Sequence, residues 1–146
     1  MRRILLLVSY LLLATDVLAA EIDFDQLKGK VVYLDFWASW CGPCRGSFPW
    51  MERMHQRHGD EGLQVIAVNL DQEPALARAF LKEYAPSFRI EYDARGDMAG
   101  QFGVDTMPTS FLIDRHGKAC VKHKGFHSEK ESIYEAEIKK LLEESL

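Results

Sequence analysis

Two cysteines separated by two residues form the most chemically informative pattern in the sequence, Cys41-Gly42-Pro43-Cys44. Their sulfurs can form a disulfide with each other and release it again, which is a reversible two-electron change. A helix is predicted to begin at Cys41, and the unpaired N–H groups of its first turn would stabilise a thiolate there. The pattern predicts that Cys41 is the accessible nucleophile. Cys44, one turn further along and less exposed, is predicted to resolve the mixed disulfide.

A zinc site or an inert structural bridge is the alternative interpretation of the same pair. The chain has three cysteines and five histidines, so Cys120 and one histidine could complete a set of four ligands. Zinc ligands do not need Gly-Pro between them, however, and the histidines show no ligand spacing with a carboxylate or a thiol. We therefore predict redox chemistry with no metal and no cofactor beyond the disulfide. Solvated loop or helix positions are predicted for His55, His58, His116, His123 and His127.

The segment from Asp35 to Cys44, with the sequence Asp-Phe-Trp-Ala-Ser-Trp-Cys-Gly-Pro-Cys, resembles the active-site segment of thioredoxins. Pro49 falls where thioredoxins kink the following helix. Residues 103–118 look like the TlpA/ResA branch of extracytoplasmic thioredoxins, and the resemblance covers roughly residues 24–142. It implies an α/β thioredoxin fold, in which a central mixed β-sheet is flanked by helices.

The resemblance also implies a substrate-binding set around the cysteine pair. Met107 and Pro108 are similar to the family's cis-proline loop, which packs beside the disulfide and pairs with the substrate backbone. Gly125 resembles the glycine that lines the same groove. Trp40 is expected to cover the disulfide, whereas Trp37 is as compatible with a core position as with a functional one.

Asp35 is a carboxyl group in an otherwise apolar predicted strand, where it is unfavourable unless it is protonated or has a partner. A pKa raised to about 7 would suit proton transfer to and from Cys44. The alternative is an aspartate that points outward into water, but the match to the family's buried aspartate favours the catalytic role. Where related proteins often carry a lysine or a glutamate near this group, this chain has Ala67 and Ser47. Proton handling is therefore expected to depend on Asp35 alone, or on water.

The first 20 residues have the pattern of a cleavable export signal. Arg2 and Arg3 are followed by eleven apolar residues, 4–14, and by small residues that predict cleavage near Ala19 or Ala20. Eleven residues are too few to span a bilayer of about 30 Å. We predict export to the periplasm, with an uncleaved N-terminal membrane anchor as the alternative.

One thioredoxin domain is predicted over residues 21–146, since that length suits a single core. The net charge is −4 for the whole chain and becomes −5 without residues 1–20, because two arginines and one aspartate leave. The sequence contains no basic patch, which argues against nucleic acid or an anionic membrane as a partner. We expect a monomer.

The apolar patterns predict alternating strands and helices. Strand 31–36, helix 41–58 and strand 63–70 form a parallel strand–helix–strand unit. Strands 109–113 and 119–124 form a hairpin. In the latter strand, Cys120 is expected to be a small buried apolar residue.

The last helix is predicted to open with a capping box of Ser128 and Glu131. Its apolar face is predicted to consist of Tyr134, Ile138, Leu141 and Leu142.

The span from Asp71 to Pro108 is 37 positions and predicts an extra helix–strand insertion over residues 72–105. It comprises a helix over 74–85, an alternating strand over 88–92 and a helical turn over 98–103. The helix is predicted to bury one face, formed by Leu76, Phe80, Leu81 and Tyr84. The insertion either shapes partner recognition or adds an edge strand to the sheet.

From these residues and the resemblance we predict an exported thiol-disulfide oxidoreductase with a role in redox homeostasis outside the cytoplasm. Gly-Pro between the cysteines resembles reducing family members, with potentials of about −270 mV against about −120 mV for strong periplasmic oxidants. The predicted partners are protein thiols and disulfides, such as an apocytochrome c awaiting haem, and a membrane electron donor that recharges a reductant. The alternatives are an oxidant or isomerase of disulfides, a metal-carrying thioredoxin-like binding module, and a peroxidase.

Overall fold

The computed structural model describes residues 21–145, and the predicted signal peptide lies outside the described residues. The strands are β1 (Val31–Trp37), β2 (Leu63–Asn69), β3 (Arg89–Tyr92), β4 (Thr109–Ile113) and β5 (Ala119–Lys124). The α-helices are α1 (Cys44–His58), α2 (Pro74–Tyr84), α3 (Asp97–Gln101) and α4 (Glu131–Glu143). Single 3₁₀ turns at Gly59–Glu61 and Ser128–Lys130 complete the regular structure of this part of the chain.

The strands form one mixed sheet in the order β3-β2-β1-β4-β5. The central strand β1 is parallel to β2 and antiparallel to β4, while β3 and β5 form the two edges. All seven residues of β1 are buried, because both faces of the sheet are covered. The predicted thioredoxin fold, with its mixed sheet and flanking helices, is confirmed.

Side chains of β1 alternate between two apolar cores, as a strand requires. Tyr33 and Trp37 belong to the core that contains both cysteines of the motif, the buried face of α1 and part of α4. Leu34 and Phe36 belong to the core on the opposite face of the sheet. By this alternation Asp35 lies on the same face as the cysteine pair.

The insertion supplies α2, β3 and α3, and β3 extends the sheet as an edge strand beside β2. The predicted apolar face of α2 is wrong at one position: Leu76 is 47% exposed, and Ala77 is buried instead. The buried stripe then runs through Ala77, Phe80, Leu81 and Tyr84, which is the spacing of one helix face.

Three further predictions need correction. The helix expected to begin at Cys41 begins at Cys44, because the residues between them form a turn.

In β3 the alternation is reversed near its end: Glu91 is buried and Tyr92 is exposed. Glu91 is paired with Arg89, which lies two residues earlier on the same face of the strand.

The predicted capping box is absent from the start of α4. The 3₁₀ turn Ser128–Lys130 occupies this position, and α4 begins at Glu131 without a side-chain cap. The predicted apolar face of α4 is confirmed, since Tyr134, Ile138 and Leu141 are buried and Leu142 packs against the same core. Within residues 21–145, no helix has the length and apolar character needed to cross a membrane.

Candidate active site

Cys41 and Cys44 form a disulfide at the start of α1, with Cα atoms 5.4 Å apart. That separation lies within the usual range for disulfides. Cys41 has 3% of its surface exposed, and Cys44 has none exposed. The order of exposure agrees with the sequence analysis, but the prediction of an accessible Cys41 is wrong for this disulfide-bonded state, in which both residues are buried.

The turn before α1 places Cys41 outside the helix and just ahead of its N-terminus. The amide of Cys41 donates to the carbonyl of Ala38 at 3.1 Å, and Pro43 is the N-cap residue of α1. The first turn of α1 carries no acidic residue, so its positive end is not neutralised locally. A thiolate released at this end of the helix is stabilised by that field.

Asp35 is buried in the middle of β1, with 1% of its surface exposed. The alternative of an outward-facing aspartate is therefore wrong. Burial raises the pKa of this carboxyl well above 3.8. Its Oδ2 atom accepts no hydrogen bond from the described residues. Across the sheet Asp35 faces Ala67 on β2 and Ser110 on β4, so neither neighbour contributes a positive charge.

The polar groups beside Asp35 form a row on the same face of the sheet. The hydroxyl of Tyr33 donates to Ser110 Oγ at 2.9 Å. Burial also raises the pKa of Tyr33 well above its usual value. His123 on β5 is opposite Ser110, and its Nε2 lies 2.9 Å from Glu137 of α4. The row therefore extends from the buried Asp35 toward partly exposed groups.

The loop before β4 resembles the expected cis-proline loop in its geometry. The peptide bond between Met107 and Pro108 is cis, and Pro108 is buried. The carbonyl of Pro108 accepts a hydrogen bond from the Gly125 amide at 2.7 Å. Gly125 has a φ of +81°, a region that favours glycine. Met107 packs against the core that contains both cysteines.

The two tryptophans of the motif have different environments. Trp37 is fully buried between Phe48 and Phe80, with ring centroids 4.7 Å from each, and is therefore a core residue. Trp40 is 69% exposed, beside the disulfide in sequence. It presents an apolar surface to solvent rather than to the protein interior.

A buried hydrogen-bonded cluster next to the motif was missed by sequence reasoning. Asp71 is 4% exposed and accepts hydrogen bonds from Ser39 Oγ at 2.8 Å, from the Ser39 amide at 3.0 Å and from Asn69 Nδ2 at 2.7 Å. The available signal was the pair of polar residues, Asn69 and Asp71, at the carboxyl end of the buried strand β2. The sequence alone does not show which loop those side chains meet.

The histidines differ from the prediction in one clear case. His58 is 4% exposed, with Nδ1 3.1 Å from Glu61 and Nε2 2.9 Å from Glu135. It is buried because α1 and α4 meet there, so the solvated position predicted for it is wrong. Among residues 21–145, no three His, Cys, Asp or Glu side chains converge as metal ligands do.

Cys120 is a free and exposed cysteine on β5. The prediction that it is buried is wrong, because β5 is an edge strand with little covering on its outer face. Its thiol lies on the hairpin beside Asp114, within 3.4 Å of a carboxylate oxygen.

Known proteins with similar sequences are named as thiol-disulfide oxidoreductases. The thiol-disulfide oxidoreductase ResA of Bacillus thuringiensis subsp. konkukian (strain 97-27) is 35% identical over 111 residues, which are 76% of this chain and 64% of that protein. ResA of Bacillus subtilis (strain 168) is 33% identical over 103 residues, 70% of this chain and 58% of that protein. The chain thus spans about three fifths of the length of these curated relatives.

Solved structures agree with the fold. A putative thiol:disulfide interchange protein DsbE from Chlorobium tepidum has a TM-score of 0.79 and 47% identity, over 81% of this chain and 84% of that one. StoA from Bacillus subtilis has a TM-score of 0.63 and 28% identity, over 72% of this chain and 81% of that one. The Redoxin family model matches residues 12–142. The chain therefore belongs to the Redoxin family and is a TlpA/ResA-like member of the thioredoxin superfamily.

Proposed function

We propose that this protein is a thiol-disulfide oxidoreductase that reduces disulfides of other proteins through Cys41 and Cys44. The observation that carries the proposal is the disulfide between these two residues at the start of α1. The exposed Trp40, adjacent to Cys41 in sequence, supports a partner-binding role for this end of the molecule. The names of ResA and DsbE support the same reaction class.

The reaction starts from the dithiol form. The Cys41 thiolate attacks one sulfur of a partner disulfide, and the other partner sulfur leaves as a thiolate that takes up a proton. Cys44 then loses its proton and attacks Cys41 Sγ, which releases the second partner sulfur as a thiolate that also takes up a proton. The partner gains two electrons and two protons, and the protein is left with the Cys41–Cys44 disulfide.

Asp35 is proposed to accept the proton that Cys44 must lose. It lies on the face of β1 that packs against α1. Burial there leaves its ionised carboxylate poorly solvated. A carboxyl with a raised pKa exchanges its proton nearer to neutral pH than an exposed one, which suits a general base for a thiol. Met107, Pro108, Gly125 and Trp40 are proposed to orient the partner chain.

The proposed direction is reduction, because Gly-Pro between the cysteines resembles reducing relatives. The proposed location is the periplasm, which the protein reaches through a signal peptide cleaved near Ala19 or Ala20. The remaining domain, residues 21–146, is proposed to be a monomer. Since the periplasm is oxidising, a membrane electron donor must return the protein to its dithiol form. Apocytochrome c is one substrate class that such a reductant serves.

The test measures the reduction potential of residues 21–146 against glutathione or dithiothreitol, together with insulin reduction. A potential of about −270 mV and active insulin reduction are expected for a reductant. Cys41→Ser should abolish the activity. Cys120→Ser is the matched control, because its thiol is exposed on β5, and it should retain full activity. A potential of about −120 mV would overturn the proposed direction.

A further inference from the structure

The segment between β1 and the cysteine pair is attached to the end of β2 by the Asp71 cluster. Both oxygens of the Asp71 carboxylate accept hydrogen bonds from Ser39, one from its hydroxyl and one from its amide. Ser39 is two residues before Cys41 and one before the exposed Trp40. The cluster thus contacts the backbone of the segment that carries the attacking sulfur.

Asn69 holds the carboxylate in place from the other side. Its Nδ2 donates to Asp71 Oδ2, and its Oδ1 accepts from the Asp71 amide at 3.1 Å. The amide of Leu70 donates to the carbonyl of Trp37 at 2.9 Å, which ties the two strand ends together. The position of Asp71 relative to Ser39 is therefore set by several hydrogen bonds rather than by one.

We propose that Asp71, supported by Asn69, is a positioning residue for the redox pair. Acting through Ser39, it keeps Cys41 Sγ beside Cys44 after the disulfide has opened. The inference rests on the proposed function only in assuming that the pair cycles between disulfide and dithiol.

The physical reason lies in what remains when the disulfide is reduced. The covalent link between Cys41 and Cys44 is lost, and the turn before α1 is then held by backbone contacts such as that from Cys41 to Ala38. Hydrogen bonds to a buried carboxylate are stronger than neutral ones, and removing one partner leaves the other groups unsatisfied. The Ser39–Asp71 contacts therefore resist displacement of the segment.

A fixed position of Cys41 has a measurable consequence. Two thiols held in the right geometry form a disulfide more readily, because the ordering entropy has already been lost. Loosening the Ser39 segment lowers that advantage. The disulfide then becomes less stable relative to the dithiol, so the reduction potential becomes less negative. For the same reason, Cys44 attacks a mixed disulfide at Cys41 more slowly.

The experiment compares Ser39→Ala and Asp71→Asn with the unchanged protein in glutathione redox buffers. Ser39→Ala changes no charge and removes the hydroxyl contact, so its effect reports geometry. We expect each variant to lower the equilibrium constant for disulfide formation about tenfold, which corresponds to about 30 mV. Resolution of a glutathione mixed disulfide at Cys41 should slow by a similar factor. The double variant should be no worse than Asp71→Asn alone, because both changes act on the same pair of residues, Ser39 and Asp71.

Glu73→Gln is the matched control, since it makes the same acid-to-amide change at an exposed residue near Asp71. It should leave the potential and the resolution rate within twofold of the unchanged protein. A potential and a rate that are unchanged in Ser39→Ala would overturn the proposal, even if its thermal stability fell. If Asp71→Asn does not fold, the Ser39→Ala result decides. Glutathione reports on the redox pair whether or not the protein reduces insulin. Failure of the proposed function can therefore be distinguished from failure of the positioning role of Asp71.

Discussion

Asp35 and Asp71 are both buried, on the face of β1 toward the cysteine pair and beside Ser39 respectively, but their hydrogen bonding differs. Asp71 accepts three hydrogen bonds, from Ser39 and Asn69. Asp35 has an oxygen without a hydrogen-bond donor among the described residues, and burial raises its pKa. Asp35 is 1% exposed and Asp71 is 4% exposed, so the degree of burial alone does not account for the difference in hydrogen bonding.

The difference shows how one fold obtains two functions from the same side chain. Hydrogen bonds from several directions hold a carboxyl group in one geometry, which suits a positioning role. A buried carboxyl without such donors loses little by taking up a proton, which suits proton transfer. Asp35 lies on β1, the strand that leads to the cysteine pair, whereas Asp71 follows β2 and contacts that segment through Ser39.

The largest predicted effect is on stability at Asp71. Asp71→Ala removes the acceptor of one buried and two partly buried hydrogen bonds and should lower the free energy of unfolding by about 3 kcal/mol. Urea unfolding of residues 21–146 measures this. Asp35→Asn is the comparison and should not destabilise the protein, because an amide of similar size replaces a carboxyl whose Oδ2 has no donor among the described residues. A loss of the same size in both variants would remove the distinction between the two carboxylates.

The second prediction concerns the rate of exchange. Asp35→Asn should slow thiol–disulfide exchange at least about tenfold above pH ~7, where removal of the Cys44 proton by a general base matters. It should also shift the apparent pKa of Cys41, because Asp35 faces the core that contains Cys41 and interacting ionisable groups titrate together. Stopped-flow kinetics between pH ~5 and ~9 measure both. A rate identical to the unchanged protein at every pH would leave Asp35 with a structural role only.

The third prediction is the pH dependence of stability in the unchanged protein. The pKa of Asp35 is higher in the folded state than its unfolded value of 3.8, so the folded state binds the proton more tightly. Its contribution to stability is therefore fully present below pH 3.8 and is lost as the pH rises through the folded pKa. Unfolding free energies measured across that window should fall less steeply in Asp35→Asn. Parallel curves for the two proteins would contradict the raised pKa.

The smallest predicted effect is at Ser110, which lies opposite Asp35. Ser110→Ala removes the acceptor for the Tyr33 hydroxyl and should reduce stability by about 1 kcal/mol. The pH profile of exchange should stay as it is, since no hydrogen bond joins Ser110 to Asp35 among the described contacts. Tyr33→Phe is the control for the hydroxyl itself. A changed pH profile in Ser110→Ala would show that the proton of Asp35 leaves through the row of polar groups.

Much of the fold follows from local pattern. The hairpin of β4 and β5 begins and ends where the alternation and the turn residues predict, and the buried strands β1 and β2 differ from the prediction by one residue each. These elements are predictable because their apolar runs are strong and their boundaries coincide with turn residues. Burial of Asp35 was predictable for the same reason, since it lies in the middle of such a run.

The rest depends on contacts between distant segments. Asp71 acquires its role because the end of β2 meets the loop after β1, and no pattern around residue 71 encodes that meeting. His58 is buried only because α4 docks on α1, and Cys120 is exposed only because β5 is an edge strand. The reversed burial of Glu91 and Tyr92 also occurs on an edge strand, β3. Single-sequence patterns predict an element but not which neighbour covers it.

The central claim, that Cys41 attacks and Cys44 resolves, is tested most directly by trapping mixed disulfides. The variants Cys44→Ser and Cys41→Ser are prepared with Cys120→Ser, so that the exposed third thiol forms no adducts. Each is reduced and then mixed with a disulfide-containing protein such as insulin, and adducts are resolved on a non-reducing gel. Cys44→Ser should accumulate an adduct that dithiothreitol releases, and Cys41→Ser should not. Equal trapping by both variants would contradict the account.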